Sequence, residues 1–447
     1  MAMAPASPAR AAAVPGDEAP ADLKWFVFIL FFVFGGITSL NDVLIPKLKH
    51  LFTLNWAEAM MIQFAFFAAY FIVSLPAAAL LKRVGYMRTA VIGLLVMMAA
   101  CLLFIPASYS GLFVAFLGAL FMLGAGITTV QVVANPLISM LGRPQTAHSR
   151  LTFAQAFNSL GTTVFPFVGA HLILGSLNPV DETSLSGEAL SVFRAQETEV
   201  IVTAYIGIAL ALLVVAGAVW LRRNRLVEET PPQQSMWRSF DLLKQPRFAF
   251  GALGIFVYVG AEVAIASIIT NYLMEARTLA LAAREAGELL IFYWGGAMVG
   301  RFIGAAALRI FPPSLVLFAV AAVAAALLAV SGFSEGAVSG YAILAIGLFN
   351  SIMFPTIFSL ASEDLGDRRA DGSGIICMAI VGGAIVPLLT GFVADATSLV
   401  GALIVPFVCY WIIAAFAFYC RRVPSRLASQ DAVEVTEGTV SPVQSHV

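Results

Sequence analysis

Trp25-Phe-Val-Phe-Ile-Leu30-Phe-Phe-Val-Phe-Gly35-Gly-Ile-Thr-Ser-Leu40-Asn-Asp42-Val-Leu-Ile-Pro46 is the stretch from which the fold is read. From Trp25 to Leu40 it carries no charge, and it then reaches a carboxylate at Asp42. An isolated charge in hydrocarbon is prohibitively costly, so an acid in such a run is neutral, paired or close to water. That makes Asp42 a candidate proton or ion carrier. Runs of the same kind recur along the whole chain, which is 60% hydrophobic and 11% charged, with 35 Phe and 36 Gly in 447 residues. Many approach the roughly 20 residues needed to cross a bilayer core of about 30 Å. They are continuous rather than alternating, so the expected fold is an all-α membrane protein and not a β-barrel.

Twelve spans are expected, at about 25–45, 57–80, 88–106, 111–134, 151–174, 200–221, 247–272, 287–307, 312–330, 337–359, 371–393 and 398–420. The polar, basic segment 222–246 is expected to link two six-helix bundles, 25–221 and 247–420. Residues 1–24 and 421–447 are expected to be cytoplasmic tails, the first of them disordered. With the N-terminus inside, twenty Lys and Arg fall on the cytoplasmic side and five on the other: Lys47, Lys49, Arg194, Arg277 and Arg284. This positive-inside bias supports an even number of spans with both termini in the cytoplasm. A net charge of −1 gives no footprint for nucleic acid. Cys101, Cys377, Cys409 and Cys420 show neither metal-ligand nor disulfide-framework spacing and are expected to be structural. No nucleotide-binding or metal-ligand motif points to an enzyme.

Polar residues inside the runs single out the expected site. The end of helix 4 carries Gln131 and Asn135, four apart and on one face, followed by Pro136. Helix 5 opens with Arg150 and continues with Gln155, Asn158 and Ser159, which overlap on one face. Amides both donate and accept, as the hydroxyls of an uncharged polyol require, but they also bond helix to helix. Asn135 and Arg150, near the cytoplasmic end, fit a gate or anchor. In the second half, Glu262 is a second candidate titrating group or sugar acceptor, with a tyrosine-paired structural acid as the alternative. Asn271 and Asn350 are further candidates for binding. Phe157 or Tyr258 could stack on the apolar face of a sugar ring. Glycines such as Gly161, Gly295-Gly296 and Gly382-Gly383 are expected to allow close helix approach. Pro136, Pro166, Pro355, Pro387 and Pro406 are expected to interrupt helices.

Leu80-Leu-Lys-Arg-Val-Gly-Tyr-Met-Arg88 and Gly300-Arg-Phe-Ile-Gly304 resemble the glycine- and arginine-containing loop of the major facilitator superfamily. More specifically, Leu40-Asn-Asp42-Val-Leu-Ile-Pro46, Ile62-Gln-Phe-Ala-Phe-Phe-Ala-Ala-Tyr70, Ala134-Asn-Pro136, Leu141-Gly142 and Ala154-Gln155-Ala-Phe-Asn158-Ser-Leu-Gly161 resemble its fucose:proton symporter family. The match continues through Tyr258-Val-Gly-Ala-Glu262 and Phe349-Asn350-Ser351-Ile-Met-Phe-Pro355. The resemblance implies two six-helix bundles and import of a monosaccharide, driven by a cation gradient across a bacterial inner membrane. Asp42 would be the protonation site, Gln155 and Asn158 would face the sugar, and the protein would work as a monomer. No cofactor is implied beyond the coupling ion, a proton with sodium as the alternative. The fucose-type pattern has Glu where this chain has Gln131. Glutamine cannot titrate, so the chain looks more like the glucose/galactose and N-acetylglucosamine branches, with N-acetylglucosamine or fucose as alternatives to a neutral hexose.

Overall fold

A computed structural model describes the backbone of residues 21–51, 56–110, 112–173, 188–224 and 235–424; within these, some side chains are not described, chiefly those of residues 40–63 and 166–201. Asp42, residues 225–234 of the linker and most of both tails therefore lie outside the described side chains, although α1 carries the backbone of Asp42. In the first half the helices are α1 (Ala21–Leu51), α2 (Trp56–Val84), α3 (Tyr86–Ser110), α4 (Phe113–Met140), α5 (Ala147–Ile173) and α6 (Glu188–Leu221). The second half has α7 (Pro246–Met274), α8 (Ala283–Glu288) leading into α9 (Leu290–Ile310), α10 (Pro313–Phe333), and α11 (Gly336–Asn350) followed by α12 (Met353–Ser362). It ends with α13 (Arg369–Ala379), α14 (Gly382–Ala396), α15 (Leu399–Ala402) and α16 (Ile404–Arg422). Among the described residues nine stretches are long and apolar enough to cross a membrane, and α1 and α6 add shorter apolar stretches at Leu23–Ser39 and Tyr205–Leu221. In hydrocarbon every backbone polar group must be satisfied within the chain, which is why runs of this composition fold as helices. Trp220, Phe292, Phe392 and Trp411 are exposed on the outside, as a lipid-facing surface requires.

The helices pack as two bundles. In the first, α1 packs on α5, α3 on α4 and α6, and α2 on α4; in the second, α7 packs on α12, α14 and α16, and α10 on α11 and α16. Across the divide α2 meets α13, α5 meets α9 and α12, and α4 meets α13. The side-chain bonds between bundles concentrate at the end that carries Lys82, Arg247 and Arg309, hereafter the basic end. Lys82 Nζ lies 2.6 Å from Asp371 Oδ1, His148 Nε2 lies 2.9 Å from Glu363 Oε1, and Ser149 Oγ donates to Ala305 O at 2.7 Å. Residues Met236–Lys244 form a 3₁₀ segment across this end, and Ser239 Oγ donates to Asp371 Oδ1 at 2.8 Å.

Small residues set the closest approaches. A Cβ on Gly161 would overlap the backbone oxygen of Phe32, and one on Gly382 would overlap that of Phe256, so α1–α5 and α7–α14 can approach this closely only with glycine there. Gly295 differs from expectation, since nothing lies within 4 Å of its would-be Cβ.

The prolines also depart from expectation. Helices continue through Pro136 and Pro387, and α5 runs past position 166. Pro136 has no N–H, which frees the carbonyl of Val132, and Ser373 Oγ from the other bundle donates to that oxygen at 2.8 Å. Pro355 and Pro406 sit in the first turns of α12 and α16, where a missing N–H is tolerated. The expected single spans 337–359 and 371–393 are broken instead, between Asn350 and Met353 and between Ala379 and Gly382. Around the second break the chain tightens into three-residue bonds, such as Ala384 N to Val381 O at 2.9 Å.

Ser373→Ala is expected to lower stability by about 1–3 kcal/mol, because it leaves the Val132 carbonyl unsatisfied. Pro136→Ala restores an N–H within α4 and should remove most of that cost. Thermal unfolding of the single and double variants in detergent measures the difference, and equal losses in both backgrounds would show that the cost does not come from an unsatisfied Val132 carbonyl.

Candidate functional site

Each bundle carries its own polar layer. In the first, Tyr70 on α2 donates its hydroxyl to Gln131 Oε1 on α4 at 3.0 Å, and both residues are buried. One turn on, Asn135 Oδ1 accepts from Gln155 Nε2 on α5 at 3.4 Å, while Asn135 Nδ2 has no hydrogen-bond partner. Spacing of four residues on α4 therefore brings Gln131 and Asn135 to one face, and α5 meets that face through Gln155. Asn158 turns toward α1, where its Nδ2 donates to Phe31 O at 3.3 Å and its side chain fills the space left by Gly35. Phe157 stacks on Phe28 and meets Trp25 and Phe153 edge to face, so its ring is taken up by α1–α5 packing.

In the second bundle Tyr258 donates to Glu262 Oε1 at 2.8 Å, one turn apart on α7. Tyr293 Oη on α9 lies 3.4 Å from Glu262 O and accepts from Asn350 Nδ2 at 3.0 Å. Tyr410 on α16 donates to Asn350 Oδ1 at 2.7 Å. Asn350 is thus fully buried with both ends of its amide held, which makes it a brace between α9, α11 and α16 in this conformation. Asn271 is exposed on α7, one turn beyond the exposed Ser267.

Arg301 joins the two layers. Its Nη1 donates to Gln155 O at 3.1 Å and to Ser159 Oγ, both on α5 of the first bundle. Its Nε donates at 3.2 Å to Ser351 O, the carbonyl that Pro355 deprives of its helical partner. Its sequence position puts it among the twenty cytoplasmic basic residues, yet it lies nine residues before Ile310, about 13–14 Å along α9 at 1.5 Å per residue. Moving it leaves 20 − 1 = 19 basic residues against five, so the charge bias stands. A guanidinium presents five donors in a rigid planar fork, so it can hold acceptors on both bundles at once in a fixed geometry that the single ammonium of a lysine does not set. The apolar run around Arg301 was the signal in the sequence, as it was for Asp42.

Arg150 anchors the basic end. Its guanidinium donates to Ile138 O at 3.3 Å, Ser139 O at 2.7 Å and Arg143 O at 2.8 Å, closing the carbonyls at the end of α4. Gly142, with φ of +141°, lets the chain turn under it. Among the described residues no group of His, Cys, Asp and Glu is placed to hold a metal ion. The arrangement is two polar layers, one per bundle, bridged by a cation and sealed at one end by ion pairs. Such a construction can bind an uncharged polar solute between bundles and change the side from which it is reached.

Residues 27–380 match the Major Facilitator Superfamily. A glucose/galactose transporter of Brucella abortus is 47% identical over 391 residues, spanning 88% of this chain and 91% of its own. The L-fucose-proton symporter of Escherichia coli strain K12 is 33% identical over 401 residues, spanning 87% and 90%. The crystal structure of the transporter FucP in the outward conformation superposes with a TM-score of 0.81 at 32% identity, over 89% of this chain and 98% of that one. Two packed bundles, their bridged polar layers and these likenesses agree: the chain belongs to the major facilitator superfamily, in the branch that holds the glucose/galactose and fucose transporters.

Proposed function

We propose that this protein imports a neutral hexose, glucose or galactose, by proton-coupled symport across a bacterial cytoplasmic membrane. The observation that carries the reading is the split polar site, with Gln131, Asn135 and Gln155 in one bundle, Glu262 and Asn350 in the other, and Arg301 between them. A glucose/galactose transporter at 47% identity supports the substrate class. Gln131, in place of the acid of the fucose-type pattern, weighs against fucose, and N-acetylglucosamine is the remaining alternative.

The basic end is the cytoplasmic side in this reading, because Lys and Arg are retained there, and both termini then lie in the cytoplasm. The ion pairs that close that end describe an outward-facing carrier, in keeping with the outward conformation of FucP. Residues 25–221 and 247–420 would rock about the polar layers, breaking the Lys82–Asp371 and His148–Glu363 contacts to release sugar inside. Gln155 and Asn158 are assigned to sugar hydroxyls and Asp42 to the coupling ion, with Glu262 as a second coupling group. Gln131, Asn271 and Asn350 are assigned supporting contacts; for Asn350 this requires its tyrosine partners to exchange for sugar. Asn135 and Arg150 serve the gate.

Uptake of labelled glucose, galactose, N-acetylglucosamine and fucose into vesicles with imposed pH or sodium gradients tests the reading. Gradient-dependent uptake of a hexose is expected, and its absence for all four sugars would overturn the proposal. Gln155→Ala and Asn158→Ala should each weaken apparent sugar affinity about ten- to a hundredfold, the effect of losing one buried hydrogen bond worth about 1–3 kcal/mol. Affinities within twofold of wild type in folded variants would assign both residues to helix packing.

A further inference from the structure

Met236–Lys244 is a 3₁₀ helix of nine residues, although such helices rarely exceed about three or four. With about three residues per turn, side chains three apart eclipse, and the segment divides into three straight rows. The inner row is Met236, Ser239 and Leu242, of which Ser239 and Leu242 are buried. A second row, exposed, is Arg238, Asp241 and Lys244, with Lys244 Nζ 2.7 Å from Asp241 Oδ1. The third is Trp237, Phe240 and Leu243, wholly apolar and turned outward: Trp237 is 67% exposed and Leu243 40%. Phe240 is half-buried, and its ring stacks on Trp237 at 6.2 Å.

The inner row fixes what the segment holds. It packs on α2 of the first bundle and on α7 and α13 of the second, and so straddles the seam between them. Ser239 donates to Asp371, the partner of Lys82 across that seam, and Arg368 Nη2 donates to Arg238 O at 2.7 Å. The outer rows and the neighbouring helix fix where it lies. α7 begins at Pro246, three residues after Leu243, and its 29 residues are about 43 Å long at 1.5 Å per residue. A bilayer with its headgroups is about 40–45 Å thick, which puts the start of α7 and the segment before it at headgroup level. An apolar row beside a charged one is the division this layer favours, with rings toward the acyl chains and charges toward water. Tryptophan concentrates there, since its ring is apolar and its N–H is not.

We propose that Trp237, Phe240 and Leu243 form a lipid-binding surface, seated at the headgroup–acyl boundary of the leaflet on the basic side, which pins the segment across the seam between the bundles. Opening the basic end parts α2 from α13, so the segment must then leave one of them. It is continuous with α7 and bonded to α13, which makes α2 the side it releases. Lipid contacts made best with the segment in place favour the closed state by their differential affinity. The inference concerns the membrane and not the solute, and it stands whichever sugar is carried.

Nitroxide labels test the surface, attached one at a time to Trp237→Cys, Arg238→Cys, Leu243→Cys and Lys244→Cys in the full-length protein with its native cysteines replaced. The protein is reconstituted into vesicles of phosphatidylethanolamine and phosphatidylglycerol. At 237 and 243, collision with oxygen, which concentrates in lipid, should exceed collision with a water-soluble nickel chelate severalfold; at 238 and 244 the order should reverse. Equal access of the chelate to all four positions would place the row in water and overturn the proposal. Shielding of 237 and 243 from both reagents would mean that protein covers the row, a second copy or a tail, and would overturn it as well. The hold on the seam has its own readout in Cys377, buried on α13 and kept here as the sole cysteine. Trp237→Ser/Leu243→Ser should speed its alkylation by a permeant maleimide severalfold in the same vesicles, whereas Trp237→Phe, which keeps the row apolar, should not. An unchanged rate in a correctly inserted serine variant would overturn the pinning.

Discussion

Asp42→Asn is expected to abolish accumulation of sugar against a gradient while sugar exchange across the membrane continues. Asparagine keeps the size and hydrogen-bonding reach of aspartate but cannot take up and release a proton. At one proton per sugar, each unit of imposed pH difference supplies about 1.4 kcal/mol, or tenfold accumulation, and the variant should fall to a ratio near one. Binding should survive, because in a linked cycle the proton alters sugar affinity without being required for every contact. Position 42 lies on α1, and α1 packs along α5, the helix that carries Gln155, Asn158 and Ser159. The same helix pair thus carries both the assigned ion carrier and the assigned sugar contacts. Uptake driven by an acid-outside pH jump, run beside counterflow in the absence of any gradient, separates coupling from binding. Full gradient-driven accumulation by the variant would remove Asp42 from the role. Comparison with and without sodium at fixed pH decides which cation is carried.

Most of this fold was legible because hydrocarbon leaves few choices. An apolar run of sufficient length becomes a helix, and basic residues mark the side on which loops are retained. The clustering of Gln131, Asn135 and Gln155 was also legible, because residues four apart on a helix share a face whatever surrounds them. What the sequence did not disclose depends on contacts distant in the chain. Pro136 looks like a helix breaker until Ser373, far along the chain, supplies the donor that its carbonyl partner lost. Arg301 reads as one more basic residue near a helix end until the length of α9 places it well inside the span, against α5. Asn350 reads as a free polar group, but Tyr293 and Tyr410 arrive from other helices to hold both ends of its amide. Asp371 precedes an apolar run as Asp42 follows one, and nothing local distinguishes a gate from an ion carrier.

That distinction makes Asp371→Asn the second large expectation. Asp371 and Lys82 are both buried, 2.6 Å apart, on opposite bundles. Ser239 donates to the same carboxylate oxygen, and Arg368 Nε lies 3.4 Å from the other. Removing one member of a buried pair costs about 3–5 kcal/mol, since the remaining charge stays desolvated. The cost falls on the closed basic end alone, because opening returns Lys82 to water. The equilibrium should then move toward the opposite state by roughly a hundredfold or more, at 1.4 kcal/mol per factor of ten. The protein carries its own reporter of that movement. Cys377 is buried on α13 three residues beyond Gly374, which packs against Ala78 and Ser74 of α2, so it belongs to the seam that parts. With Cys101, Cys409 and Cys420 replaced, alkylation of Cys377 by a permeant maleimide should accelerate strongly in Asp371→Asn. Exchange of the two charges, Lys82→Asp with Asp371→Lys, should slow it again by restoring the pair. An unchanged rate in a folded, membrane-inserted variant would mean that other contacts hold this end closed.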